Sequence, residues 1–154
     1  MNKTDKNELL VAAIENGTVI DHIPSDKVFS VVYMLGLHNL DNSITVGSNL
    51  SSNKMGKKGI IKIANKYFSE SEVNKLSLIA PNIVLNTIKD FKVAHKYRVS
   101  MPTEIKGIVK CPNPKCISNN EPMSTRFHTI DKTSGVIQCC YCNRTISLEE
   151  IKII

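Results

Sequence analysis

The 154-residue sequence has no tryptophan, and aromatic residues make up only 5% of it. Proteins that hold single-stranded nucleic acid stack bases on exposed aromatics above a basic groove. With so few rings, no RGG-like tract and no basic stripe along a helix, the chain is poorly equipped for that role. Long apolar runs are missing too, and nothing approaches the ~20 residues that a membrane-spanning helix needs. The first ten residues, MNKTDKNELL, are polar and lack a signal-peptide core. The expectation is a soluble, cytoplasmic protein with no membrane partner. Enzyme signatures are equally scarce. No nucleophile–base pair, no paired carboxylates and no open metal site is legible. The stretch NKMGKK lacks the Gly-Lys-Ser/Thr step of a Walker loop. The residues read as a binding protein, not an enzyme.

What is present begins with charge. The formal net charge is +6, spread along the chain. Residues 1–105 hold 13 Lys/Arg against 10 Asp/Glu, and residues 106–154 hold 7 against 4. Four thiolates around one Zn²⁺ would carry about −2, nearly cancelling the excess of the second part. A diffuse excess of this kind serves solubility more than it marks a nucleic-acid footprint.

All five cysteines fall in two stretches, KGIVKCPNPKCISNNEP and GVIQCCYCNRT. Cys111 and Cys116 are separated by four residues, Cys139 and Cys142 by two, and 22 residues lie between the pairs. Two short-spaced pairs at that distance signal a structural metal site, and a tetrahedral ion takes four thiolates. Cys140 is the one left over. A Cys139/Cys142 pair leaves the two-residue gap of a metal knuckle, whereas Cys140/Cys142 leaves a gap of one, which is too tight. Cys140 is therefore expected as a free thiol on the side of the knuckle. Disulfides are disfavoured by the odd count and the expected compartment. A catalytic metal would need an open coordination position, and the local histidine, His128, reads as a packing or surface residue of a strand. The metal's task is to hold together some 50 residues that bury too little core alone.

The stretch YRVSMPTEIKG (97–107) marks a boundary, giving domains over 1–101 and 102–154. Ahead of it, GTVIDHIP (17–24) reads as a strand. Ser25 is placed to cap a helix carrying Val28, Val31, Val32 and Leu35 at helical spacing. SITVGSNL (43–50) reads as a strand, SSNKMGKK as a polar loop and GIIKIANKYF as a strand. Ser69 and Glu72 form a capping box before a helix that Pro81 stops. NIVLNTI (82–88) and KVAHKYRV (92–99) read as two further strands. Strand–helix–strand–strand–helix–strand plus one is the ferredoxin-like pattern, an α/β sandwich with helices on one face of the sheet. The other face must be covered or bind something. Beyond the boundary, strands around Ile108–Val109, Met123–Thr129, Val136–Cys139 and Thr145–Ile151 make a small all-β, zinc-ribbon-like (rubredoxin-like) domain. The fold class is α+β.

Four polar residues break the apolar pattern of the first domain. Asp21 and His22 interrupt GTVIDHIP, Lys62 lies between Ile61 and Ile63 and so points away from their face, and Lys96 ends a similar strand. Lys54, Lys57 and Lys58 add charge nearby. Such lysines also occur on plain solvated faces. Together with a His and an Asp, they suit a phosphorylated, ribose-bearing ligand.

The motifs GTVIDHIP, MGKKGIIKI, LSLIAPNIVLNTI and CPNPKCISNNEP with the later CCYC, in this order, resemble the regulatory chains of aspartate carbamoyltransferase over nearly the whole sequence. The resemblance implies a noncatalytic, allosteric subunit acting in pyrimidine biosynthesis. Its first domain would bind nucleoside triphosphates (CTP, ATP, UTP) and pair with a second copy by extending the sheet. Its zinc domain would dock on the catalytic chain, in an assembly of six catalytic and six regulatory chains. By position, Asp21 and Lys62 belong to the ribose region and Lys96 and His22 to the triphosphate region. Val11, Ala12, Ile14, Phe91 and Val93 surround the base, and Asn86 and Lys58 lie at the edge of the site. Cys111, Cys116, Cys139 and Cys142 match the ligands of one structural Zn²⁺. Ala12 stands where enteric relatives carry an acidic residue, and Lys115 where an Asn is found. A zinc-ribbon nucleic-acid-binding protein is the alternative.

Overall fold

The computed structural model describes residues 13–53 and 56–154. The chain divides into two compact units between Val99 and Ser100. In the first unit, β1 (Gly17–Pro24) leads through a 3-10 turn (Ser25–Lys27) into α1 (Val28–Met34). Then come β2 (Ile44–Ser52), β3 (Gly56–Ala64), α2 (Glu70–Ile79), β4 (Val84–Lys89) and β5 (Lys92–Arg98). The strands form one sheet in the order β2-β3-β1-β4-β5, and every neighbouring pair is antiparallel. The first four strands have the ferredoxin-like order, and β5 is added at the β4 edge.

Apolar alternation decides which face the helices cover. Ile20 and Ile23 of β1, Ile61 and Ile63 of β3, and Ile83 and Leu85 at β4 pack with Val28, Val31 and Leu35 around α1 and with Leu76 of α2. Ile20 and Ile23 are three residues apart, so a regular strand would send them to opposite faces. A β-bulge resolves this, because the pairing with β3 steps from Ile20–Ile61 to Ile23–Gly59. The extra residue is absorbed at Asp21 and His22, and His22 takes a left-handed φ of 58°. Gly59 lets α1 lie close on the sheet, since a Cβ there would sit 2.0 Å from Val28 Cγ2.

The capping box of α2 forms as expected. Ser69 Oγ accepts from the Glu72 amide at 3.3 Å, and the Ser69 amide donates to Glu72 Oε1 at 3.2 Å. Such a cap contributes about 1 kcal/mol. The helix ends at Ala80, ahead of Pro81.

Several local expectations are corrected. Ser25 makes no capping hydrogen bond, because the chain leaves Pro24 in a 3-10 turn and α1 begins only at Val28. SSNKMGKK is mostly strand: Ser51 pairs with Lys57 and Ser52 with Gly56, so Lys57 and Lys58 belong to β3. Gly56, with φ 74°, supplies the left-handed backbone beside the turn. Lys54 lies outside the described residues. The strand expected through Phe68 stops at Ala64, where Asn65 turns with φ 59°.

The second unit is built on a four-stranded antiparallel sheet in the order β10-β9-β8-β6. Its strands are β6 (Glu104–Lys106), β8 (Arg126–Asp131), β9 (Val136–Cys139) and β10 (Thr145–Ser147). A small ladder joins β7 (Val109–Lys110) to β11 (Lys152–Ile153). Phe127, Ile105, Ile137 and Ile146 are buried. The sheet is thus small and all-β, with one helical turn, α3 (Ile117–Asn120), in the first cysteine stretch. β6 lies within the stretch read as the domain boundary, and the strand expected over Thr145–Ile151 turns into a 3-10 helix at Leu148.

Candidate functional site

Two features stand out, one in each unit. In the second, β9 delivers Cys139 and the turn after it delivers Cys142, while the turn after β7 brings Cys111 and Cys116. One ligand atom from each of these four residues lies within 4.8 Å of all the others. Cys111 Sγ is 3.6 Å from Cys142 Sγ, and Cys116 Sγ is 3.7 Å from Cys139 Sγ. A tetrahedral Zn²⁺ with Zn–S near 2.3 Å would space its sulfurs about 3.8 Å apart, so the donor set fits a closed, four-thiolate ion. No disulfide joins them. Three of the four are buried.

The turns add backbone hydrogen bonds to the sulfurs, from Asn113 at Cys111, from Cys142 and Tyr141 at Cys139, and from Arg144 at Cys142. Asn119 donates from its side-chain amide to the carbonyls of Cys111 and Asn113, tying the first turn together. Cys140 is exposed and points elsewhere, its Sγ 3.5 Å from His128 Nδ1. His128, half-buried on β8, packs beside that thiol and lies outside the cluster.

Burial pushes the metal-free Cys111 thiol up to about 12 and raises Cys139 as well. At Cys142 burial also acts upward, but the Arg144 amide, the Asn113 side chain and the neighbouring thiols outweigh it and hold the group at about 7. Metal binding requires thiolates, so loading must displace the protons that burial retains. At pH 8, titrating Zn²⁺ into metal-free protein should release a proton from Cys111 and one from Cys139, while Cys142 is already mostly ionised. Zinc affinity should accordingly fall as the pH is lowered. A pH-indicator dye in weak buffer measures the release, and no release at pH 8 would contradict the arrangement.

The second feature is the sheet face that neither helix covers. The strand register lines up Thr45, Lys62, Val19, Asn86 and Lys96 in one row across all five strands. Lys62 and Lys96 lie three strand spacings apart, about 14 Å. Lys62 is buried, 7% exposed. Asp21, Val84 and Arg98 form the next row on one side. On the other side stand Ile88 and Val93, followed by the β4–β5 turn at Phe91. Phe91 and Val93 are exposed apolar residues. The Phe91 amide donates to the Glu15 carbonyl at 2.9 Å, which brings the chain next to Ile14 to this end of the face.

At the bulge, Lys58 Nζ is 2.9 Å from Asp21 Oδ1, and His22 Nδ1 is 3.6 Å from Asp21 Oδ2. The His22 amide donates to Asp21 Oδ1 at 2.6 Å.

Asp21, His22, Lys58, Lys62, Asn86 and Lys96 thus share one region of the sheet, and Ile14, Phe91 and Val93 sit at its apolar end. Val11 and Ala12 lie outside the described residues. Val19, Val84, Ile88 and Arg98 share the face, a placement that only strand register reveals. The arrangement offers cations for phosphates, a carboxylate for hydroxyls and an apolar end for a ring.

Comparison with known proteins gives both units a match. Residues 9–100 match the family described as aspartate carbamoyltransferase regulatory chain, allosteric domain, and residues 103–152 match that described as aspartate carbamoyltransferase regulatory chain, metal binding domain. The chain is 57% identical over 150 residues to the aspartate carbamoyltransferase regulatory chain of Bacteroides fragilis, covering 97% of this chain and 98% of that one. It is 56% identical over 150 residues to that of Phocaeicola vulgatus, with 97% of each covered. The archaeal chain of Pyrococcus horikoshii is 47% identical over 146 residues, covering 94% of this chain and 96% of its own length.

Proposed function

The chain belongs to the family of aspartate carbamoyltransferase regulatory chains, and from that premise we propose that it is a noncatalytic subunit that carries a nucleotide signal to a separate catalytic chain. Residues 1–101 form the effector domain in this reading. The sheet face opposite α1 and α2 takes a nucleoside triphosphate (CTP, ATP or UTP), with Lys96, His22 and Lys58 toward the phosphates and Asp21 and Lys62 toward the ribose. Ile14, Phe91 and Val93, with Val11 and Ala12, surround the base, and Asn86 lies at the edge of the site. The observation that carries this reading is the row Lys62–Val19–Asn86–Lys96. It sets two cations and an amide on the face of the sheet opposite α1 and α2.

Residues 102–154 hold one structural Zn²⁺ through Cys111, Cys116, Cys139 and Cys142 and dock on the catalytic chain. Regulatory chains pair through the first domain, and six of them join six catalytic chains in the cytoplasm. The described residues contain no helix long and apolar enough to cross a membrane.

The test is reconstitution. Zinc-loaded chain mixed with its cognate catalytic chain should co-elute as a large complex, and CTP or ATP should change the aspartate dependence of that complex. A chelator should release the regulatory chain as a dimer, because the two interfaces lie in different domains. Unchanged affinity of the metal-free chain for the catalytic chain would remove the docking role of the zinc domain.

A further inference from the structure

The connection between β4 and β5 is a two-residue loop, Asp90 and Phe91, because Lys89 pairs with Lys92 across it. Both loop residues have left-handed backbone, with φ of 51° and 64°. This is the hairpin turn whose twist suits the flanking strands, and it favours glycine at its second position. A bulky phenylalanine is an outlier there, since its Cβ crowds the following carbonyl. Phe91 is also 67% exposed, so packing within the chain does little to offset the strain. Strain that packing leaves uncompensated points to a side chain kept for contacts outside the core.

The chain entering β1 holds this turn. The Phe91 amide donates to the Glu15 carbonyl at 2.9 Å, and the Asp90 amide donates to Asn16 Oδ1 at 3.2 Å. Just before the turn, Tyr67 Oη donates to the Ile88 carbonyl at 3.1 Å. Asn16 is itself anchored, because its carbonyl accepts from the Asn65 amide at 2.9 Å. The next residue, Gly17, has φ 141°, and a Cβ there would lie 2.1 Å from the Ile63 carbonyl oxygen. The backbone carrying Asn16 is therefore closely confined. Any residue at position 15 supplies a carbonyl, but the acceptor for Asp90 depends on the side chain at position 16.

We infer that Asn16 is a positioning residue: it holds the β4–β5 turn in its left-handed form and so keeps Phe91 at the apolar end of the face, beside the chain at Ile14. The inference rests on the proposed function and adds to it the device that sets how firmly the ligand's ring is held. Without Asn16 Oδ1 the Asp90 amide loses its acceptor, and the turn relaxes toward negative φ. That rotation redirects the Cα–Cβ bond of Phe91. Lys62, Asn86 and Lys96 stand in the strand ladder itself, so their register does not depend on the turn. Asn16 thus acts on the ring of the ligand and leaves its triphosphate alone.

The experiment compares CTP with ribose 5-triphosphate, which keeps the sugar and phosphates and lacks the base. Both are titrated calorimetrically into the zinc-loaded full chain as wild type, Asn16→Ala, Asn16→Asp, Phe91→Ala and the Asn16→Ala/Phe91→Ala double variant. Thermal melting checks folding, and the nearly isosteric Asn16→Leu replaces Asn16→Ala if that variant folds poorly. Asn16→Ala should lower CTP affinity about fivefold, the net worth of one hydrogen bond, and change ribose 5-triphosphate affinity by less than about twofold. Asn16→Asp keeps the acceptor, so its ratio of the two affinities should return to within about twofold of the wild type. In the Phe91→Ala background, losing Asn16 should cost less than about twofold, because the two residues act as one unit. Amide hydrogen exchange without ligand reads the turn directly: Asp90 should exchange faster in Asn16→Ala than in the wild type and in Asn16→Asp. Equal exchange at Asp90 in all three, an equal loss for both ligands, failure of Asn16→Asp to restore the ratio, or a full fivefold loss in the absence of Phe91 would each overturn the inference. If the wild type binds no nucleoside triphosphate, the proposed function falls and this inference falls with it.

Discussion

Replacing Cys139 with serine should take bound zinc from one per chain to near zero and cost the C-terminal unit its cooperative unfolding transition. Cys139 is fully buried, its sulfur 3.7 Å from that of Cys116 and its strand partner Phe127 in the core of the sheet. Losing the ion therefore exposes the core directly. The unit runs over residues 100–154 only, a size at which one hydrophobic core rarely suffices. Structural zinc in small domains contributes on the order of 10 kcal/mol or more, which exceeds what this sheet can supply alone. Cys111→Ser, Cys116→Ser and Cys142→Ser should behave alike, because a tetrahedral thiolate site has no spare ligand. Cys140→Ser is the control. Its thiol is exposed beside His128, so zinc content should stay at one and the melting transition should persist. Elemental analysis and thermal melting read both outcomes. Zinc lost from Cys140→Ser, or retained at one equivalent in Cys139→Ser, would falsify the ligand assignment.

The clustering of Cys111, Cys116, Cys139 and Cys142 was legible because it is local. Spacing within each cysteine stretch already separates Cys140 from its neighbours, and folding has only to bring two short turns together. The capping box at Ser69 and Glu72 was legible for the same reason, since both partners lie within one helical turn. The break at Asp21 and His22 was visible as an interruption, but its cause was not. Only the pairing with β3 reveals a bulge that keeps Ile20 and Ile23 on one face. The β2–β3 hairpin was misread because its outer end is polar, with Ser51, Ser52 and Lys57 paired beyond the buried part of the sheet. Polarity there reports exposure and not the absence of a strand. β6 was missed because three residues, Glu104–Lys106, carry almost no periodicity, and their strand character comes from pairing with β8 more than 20 residues away. The sheet face opposite the two helices shows the same limit. Lys62 and Lys96 stood out as polar breaks. That they share a row with Val19 and Asn86 depends on three separate strand registers, none of which is a local property.

The row leads to the second large effect. Lys62→Met and Lys96→Ala should each weaken nucleoside triphosphate binding by about tenfold to a hundredfold, the usual result of removing a charge-assisted contact to an anion. Methionine is the better probe at position 62, because that side chain is 7% exposed. It keeps an apolar stem and removes the ammonium group. Zinc content and assembly with the catalytic chain should be unaffected, since the proposed function assigns both to residues beyond 101. Coupling between the sites obeys a further constraint. If a nucleotide changes the affinity of the catalytic chain for an aspartate analogue, the analogue must change nucleotide affinity by the same factor. Titration of CTP and ATP into the assembled complex, with and without the analogue, measures both directions. A variant that only weakens nucleotide contacts shifts the titration to higher concentration and leaves the coupling factor intact at saturation. A variant that alters the coupling factor itself touches the transmission between the domains. Equal nucleotide affinity in the wild type and both lysine variants would move the effector off this face of the sheet. Intact binding with a coupling factor of one would leave the site standing in a chain that no longer signals.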